Sequence, residues 1–401
     1  MRPLRLRFKK GSIRCVKNAL FRRMREKTPA WYFSLFVFGA LGLLLVRCLA
    51  VGERGLTEIF HLGTADLFGD FFAAVCDAAR GAAAYSERGV IYPPLANLLL
   101  MLFSRLLPRA YLAEGDAAAW RQYNGAVLFY LLFAVVTVLL LYACARCFLK
   151  NGVLALALCL SFPVCFLLER GNVLIPALLS LLCFARYFES ERPLLRELAL
   201  VALGFSAALK LYPLLFSLVL LSARRWRDFF RVLGYTTLFC VLPSFFFGGP
   251  QALWFMVKNA LTFTATGQNA THFMAVLGVN AATGTLLLCL LYLLALCAVL
   301  LAVLRRLPSW QFFSLCATVL LCFSSVFSVY NWLLFLPSLF ALFEKKQLNG
   351  IEFFYFWLMS APFFLYLPKP RQDKPLIALL ALLWALCLFS LLKKRRYDEK
   401  E

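Results

Sequence analysis

An all-α, polytopic transmembrane bundle of about twelve membrane helices plus one partial or juxtamembrane helix is the fold this sequence predicts. Three observations predict it. Hydrophobic residues make up 63% of the 401 residues, and mean hydropathy is +0.79, where a soluble domain is roughly 45–50% apolar. The apolar residues form continuous Leu-, Phe- and Ala-rich runs of about 14–25 residues, with none of the alternation of barrel strands. Lys and Arg cluster between the runs, as they do in the cytoplasmic loops of membrane proteins. Because lipid cannot satisfy backbone polar groups, the runs must be helical.

The first 27 residues carry eleven Lys/Arg and one Glu, so residues 1–30 form a basic segment that the charge rule places in the cytoplasm. Trp31–Val51 is too long for a signal-peptide core and lacks a clear cleavage site, so it reads as an uncleaved first span. Residues 52–90 are then a first external loop. Tyr92–Leu107 opens with Pro93 and Pro94, which suit a helix's first turn, and is barely long enough to cross. If it crosses, Arg146 and Lys150 face outside. If it dips in and returns, they face inside with Arg186/Arg192/Arg196, Arg224/Arg225/Arg227, Arg305/Arg306, Lys345/Lys346 and Lys393–Arg396, and this arrangement is preferred.

Tyr123–Ala145, Val153–Leu168 and Val173–Tyr187 follow as apolar runs, with Glu169-Arg170-Gly171-Asn172 turning on the external side. Leu198–Leu221 is interrupted by Lys210 and Pro213 between Arg-rich flanks, so it reads as two short helices meeting at Lys210-Leu-Tyr-Pro213. Phe229–Phe247 leads to a second external loop, 248–275, holding Trp254, Lys258, Gln268, Asn269 and His272. Val276–Leu304, a hairpin of Gln311–Val329 and Trp332–Phe343 around Tyr330-Asn331, then Ile351–Leu367 and Leu376–Leu392 complete the transmembrane domain, 31–392. Residues 393–401 are a charged cytoplasmic tail. Asn269-Ala-Thr271 also matches a glycosylation sequon, which matters only in a eukaryotic secretory setting.

The net charge of +22 invites a nucleic-acid partner, but its distribution between apolar runs points to a bilayer instead. Most of the 14 cysteines lie inside apolar runs and act as small hydrophobes. Cys144 and Cys147 form a C-x-x-C with no second pair or nearby His, so they read as helix face. Cys76 is the one cysteine placed toward an oxidising compartment, which predicts no structural disulfide.

Polar chemistry is concentrated in Asp66–Pro94. On one helix, Asp66, Asp70 and Asp77 share a face opposite Leu67, Phe68, Phe71, Phe72 and Val75, as in a helix lying on the bilayer. The aspartates are then either its solvated face or part of a site. Tyr92-Pro93-Pro94, Arg170, Asn172, Lys210, Gln268, Asn269, His272, Tyr330 and Asn331 collect on the same predicted side. Taken singly, Lys210 could snorkel and the others could be caps or loop residues. Together they suit an external site where cations neutralise a departing phosphate and a carboxylate takes a proton from a hydroxyl.

The segment Gly69-Asp70-Phe71-Phe72, then Ala79-Arg80-Gly81, then Tyr92-Pro93-Pro94-Leu95 resembles the first external loop of polyprenol-phosphate-dependent GT-C glycosyltransferases, in particular glycosyltransferase family 87, which includes mycobacterial mannosyltransferases. Arg170-Gly171-Asn172, Lys210-Leu211-Tyr212-Pro213, Arg224-Arg225-Trp226-Arg227, Gly267–Thr271 and Ser328–Trp332 followed by Pro337 resemble further family segments in the same order. The resemblance implies a GT-C-type fold in a bacterial plasma membrane, with a cavity open to the bilayer and the exterior and no nucleotide-sugar site. It implies a polyprenyl-phosphate sugar as donor, a mannose-like hexose, and a lipid-linked or cell-envelope acceptor.

By spacing Asp70 matches the family's catalytic base, with Asp66 as the alternative. Arg170 and Lys210 would bind the donor phosphate, and Tyr92, Pro93, Pro94, Asn172, Tyr212, Gln268, Asn269, His272, Tyr330 and Asn331 would shape the cavity. The late His of some members is unmatched, with Asn331 near its place. No ligand cluster demands a metal, although Asp66 and Asp70 could share a divalent ion. Apart from the resemblance, a transporter or lipid flippase built around Lys210 and its proline-broken helix is the competing expectation. It lacks an inverted repeat, and acidic residues are nearly absent inside the runs. A purely structural subunit would leave the polar clustering unexplained.

Overall fold

The computed structural model describes residues 28–62, 67–106, 117–265, 278–323, 328–368 and 372–393, and among them every regular element is helical. In chain order these are α1 (Pro29–Val51), α2 (Arg54–Thr57), α3 (Gly69–Ala78), α4 (Ala83–Ser86), α5 (Pro94–Ser104), α6 (Ala117–Gln122), α7 (Asn124–Leu149), α8 (Gly152–Cys159), α9 (Phe162–Arg170), α10 (Leu174–Tyr187) and α11 (Pro193–Leu209). A 3-10 helix, Tyr212–Ser217, leads into α12 (Leu218–Ser222), followed by α13 (Trp226–Ser244), a short 3-10 turn at Phe245–Phe247, α14 (Pro250–Ala265), α15 (Ala281–Arg305) and α16 (Ser309–Phe323). A third 3-10 helix, Val329–Phe335, runs into α17 (Leu336–Phe343), and α18 (Gly350–Phe364) and α19 (Asp373–Leu392) close the described chain.

Among the described residues four helices are long and apolar enough to cross a membrane: α1, α7, α13 with its 3-10 extension to Phe247, and α19. A fifth crossing is available if α8 and α9, bent by 45° at a short break, act as one span. The protein is therefore an integral membrane protein. The outward faces of α1, α7 and α15 expose Leu43, Leu49, Leu128, Leu139, Leu286 and Leu293, as a lipid-facing surface requires.

Local sequence explains the main boundaries. Thr28 caps α1 by accepting the Trp31 N–H, with Pro29 in the first turn. The α8–α9 break was not expected within Val153–Leu168. It falls at Leu160-Ser161, where Pro163 in the first turn of α9 fits a new helix start and the Ser161 hydroxyl bonds back to the Leu158 carbonyl at 2.6 Å. At Gly204 an added Cβ would lie 2.6 Å from Tyr235 Cβ, so the missing side chain lets α11 press directly on α13.

The basic clusters gather at one end. Arg186 pairs with Glu344 at 2.6 Å, Arg225 with Asp228 at 2.5 Å, and Arg231 with Glu197. Arg225 also donates to the Phe188 carbonyl, Arg305 to the Leu391 carbonyl, and Lys345 pairs with Glu352. Phe148, near the end of α7, packs edge-on against Tyr187, which brings Arg146 and Lys150 to this same end. α5 has only 11 residues, about 16 Å of helix, less than a full crossing.

Three expectations change. The first helix after the opening loop begins at Gly69, and its Phe71, Phe72, Ala74, Val75, Cys76 and Ala78 are buried. It is an internal helix rather than one lying on the bilayer, because its aromatic face packs on Phe103, Tyr130 and Phe133. Cys76 is correspondingly 5% exposed, and every described cysteine is a free thiol. Residues 250–265 form a helix in place of open loop, and the Asn259 amide on α14 donates to the Tyr85 and Val90 carbonyls at 2.9 and 3.1 Å. The first segment of the Lys210 pair is a full 17-residue helix rather than a short one.

Candidate active site

Opposite the basic end, α9 delivers two polar side chains toward α3. α9 ends at Arg170 with a left-handed Gly171, φ +76°. The Gly171 N–H bonds the Leu168 carbonyl and the Asn172 N–H the Leu167 carbonyl, a Schellman closure. Glycine is required there twice, because a Cβ would also lie 2.8 Å from Phe71 Cβ. That tight turn places Arg170 and Asn172 on either side of one carboxylate.

The carboxylate is Asp70. Arg170 donates to its Oδ1 at 2.5 Å, and the Asn172 amide nitrogen to its Oδ2 at 3.0 Å. Asp70 lies in the first turn of α3, where the helix dipole favours a negative charge. Just before it, Phe68 holds a left-handed φ of 56°, a costly conformation for a bulky residue. Phe68 is fixed there from both sides. Its N–H donates to the Glu169 carbonyl at 2.8 Å, and its ring packs on Tyr130, whose hydroxyl donates to the Leu168 carbonyl. Tyr130 sits in the middle of an apolar run and nothing in its sequence context marked it.

Lys210 enters from the break after α11. It is buried at 8% exposure and donates to Asn172 Oδ1 at 2.7 Å. Lysine only donates and an ionised carboxylate only accepts, so the Asn172 amide has one sensible orientation: oxygen to Lys210, nitrogen to Asp70. The same nitrogen lies 3.2 Å from the Tyr330 hydroxyl. Three rings surround the ammonium, with centroids 5.7 Å away for Tyr92, 5.6 Å for Tyr212 and 6.0 Å for Tyr330, an electron-rich lining for a cation. Tyr92 is held by its own carbonyl, which accepts from the Tyr85 hydroxyl at 2.9 Å, while buried Pro93 and Pro94 start α5 beneath it.

Residues from five separate segments thus form one connected set: Asp70, Tyr92, Arg170 with Asn172, Lys210 with Tyr212, and Tyr330. Asn331 is buried one residue on, in the same 3-10 helix as Tyr330. Asp66, Gln268, Asn269 and His272 lie outside the described residues. Asp77 does not join the set. It pairs with Arg88 at 3.3 Å, and burial raises its carboxyl above the usual range while Arg88 and Arg80 pull it back.

The arrangement can hold an anion between two cations, Arg170 and Lys210, beside a carboxylate able to accept a proton. No curated protein and no solved structure shows a significant match to the chain. The model of glycosyltransferase family 87 matches residues 91–337. That range contains Tyr92, Arg170, Asn172, Lys210, Tyr212 and Tyr330 and begins after Asp70, so the carboxylate is tied to the matched region by its contacts with Arg170 and Asn172. With more than half of its length matched, the chain belongs to glycosyltransferase family 87.

Proposed function

We propose that the protein transfers a mannose-like hexose from a polyprenyl-phosphate donor to the hydroxyl of a lipid-linked or cell-envelope acceptor, at the membrane face opposite the basic clusters. In this reading the clusters and both termini are cytoplasmic, following the charge rule, and the membrane is a bacterial plasma membrane. The observation that carries the proposal is the Asp70 carboxylate held by Arg170 and joined through Asn172 to buried Lys210.

In the proposed step the acceptor oxygen forms a bond to the sugar C1 as the bond from C1 to the phosphate oxygen breaks. The electron pair stays on the phosphate, which gains a second negative charge, and the acceptor proton passes to Asp70. Arg170 and Lys210 stabilise the charge on the leaving phosphate. Arg170 is shared: donor phosphate arriving beside it competes with Asp70 for the guanidinium and loosens the carboxylate for the acceptor. Asp66 is the alternative base.

The test supplies membranes with labelled polyprenyl-phosphate mannose, glucose or arabinose and follows the label into lipid. Asp70→Asn should abolish transfer while donor binding persists. Full activity in Asp70→Asn would remove Asp70 from the mechanism, and loss of activity in Asp66→Asn alone would move the base there.

A further inference from the structure

The hydroxyl of Tyr212 is buried and has no hydrogen-bond partner among the described residues. A buried phenol without a partner is costly, and most native proteins avoid it. This one stands in the tyrosine-lined surround of Lys210, whose ammonium lies 5.6 Å from the Tyr212 ring centroid. Lys210 is itself incompletely used. An ammonium has three N–H donors, and Asn172 Oδ1 is the acceptor it reaches among the described residues. A buried cation with donors to spare and a buried hydroxyl with none of its capacity taken occupy one enclosure, and both are satisfied by the same kind of guest, an anionic oxygen.

We propose that Tyr212 is a hydrogen-bond donor to the leaving phosphate of the donor lipid, acting beside Lys210. The inference rests on the donor class proposed above and adds a residue and a timing to it. The intact donor is a phosphodiester with one negative charge. As the C1–oxygen bond breaks, the departing lipid phosphate becomes a monoester bearing a second charge. A fixed phenol O–H meets that new charge at no cost of reorganisation, so its contribution grows along the reaction. Its resting state, unpartnered beside a cation, is the arrangement such a role requires. The Tyr330 hydroxyl differs, since it lies within reach of the Asn172 amide.

The test is Tyr212→Phe in the full-length protein reconstituted in lipid nanodiscs, with a short-chain polyprenyl phosphate, the reaction's product, as the binding probe. Phenylalanine keeps the ring and removes a hydroxyl that bonds nothing among the described residues, so the variant should melt at or above the wild-type temperature. It should bind polyprenyl phosphate about 10- to 100-fold more weakly, the span of one hydrogen bond to a charged group. In turnover kcat should fall by a similar factor, with a smaller change in donor KM. A stabilised variant with weakened product binding supports the proposal, since a merely structural tyrosine would lower melting and leave the affinity alone. Wild-type binding that Tyr212→Phe leaves intact overturns this inference alone. A wild-type protein that does not bind polyprenyl phosphate overturns the donor assignment and this inference with it.

Discussion

The two ends of the bundle use the same residue types in opposite ways. At the basic end, cations meet carboxylates in pairs near the surface, such as Arg186–Glu344, whose side chains are 40% and 47% exposed. At the other end Lys210 is buried, its hydrogen-bond partner is an amide, and the nearby carboxylate is already held by Arg170. Exposed pairs are screened by water and gain little. A buried cation with no direct counter-ion among the described residues is expensive, which is why Lys210 enters the proposed site as a group for an anionic guest. The contrast teaches that the number of basic residues at one end drives the charge-rule reading of topology, while the burial of Lys210 is what draws the proposed site to the other end.

The sharpest way to break this contrast is to remove one cation from each end. Lys210→Met should lower transfer about 10²- to 10³-fold, the cost of losing a charged donor to a departing oxyanion. Arg186→Ala should stay within about twofold in the same assay and change stability by less than about 1 kcal/mol. Equal effects at the two ends would erase the distinction.

Backbone requirements differ between the ends as well. Gly171→Ala meets both a left-handed φ and Phe71 at 2.8 Å, so it should destabilise by about 2 kcal/mol or more, read as a lower melting temperature with lost activity. Gly234, inside α13 with nothing within 4 Å of an added Cβ, should accept alanine with a gain of up to about 1 kcal/mol. A Gly171→Ala protein as stable as wild type would mean that the α9–α3 turn is not held as tightly as its contacts require.

The smallest effect separates the two aspartates of α3. Burial raises the Asp77 carboxyl, so the folded state holds that proton more tightly than the unfolded chain does. The resulting contribution to stability is fully present below the ordinary value of 3.8 and is lost as pH rises through the raised one. Asp77→Asn should flatten that part of the melting-versus-pH curve and leave transfer unchanged. Lost activity in Asp77→Asn would make both aspartates part of the site.

Much of the site was legible because charge in an apolar chain is conspicuous. Asp70, Arg170, Asn172, Lys210 and Tyr330 each interrupt or border an apolar run, and the charge rule put them on one side. Tyr130 and Phe68 were not legible, since an aromatic in an apolar segment looks like core until its hydroxyl or its backbone finds a partner. The α8–α9 break and the inward-facing α3 were missed for a related reason. Hydropathy tells apolar from polar, but it does not tell a residue facing lipid from one facing protein.

By itself the sequence determined that this chain is a helical membrane protein and which polar residues interrupt or border its apolar runs. Those follow from composition and spacing, because lipid penalises charge and unpaired backbone wherever they occur. Only the tertiary structure decided that Arg170 and Asn172, on one glycine turn, both grip Asp70 about a hundred residues earlier, that Lys210 reaches the same amide, and that the Tyr212 hydroxyl beside it has no partner among the described residues. Hydrogen bonds and burial are properties of pairs brought together by packing, and no local pattern in the chain encodes which pairs those will be.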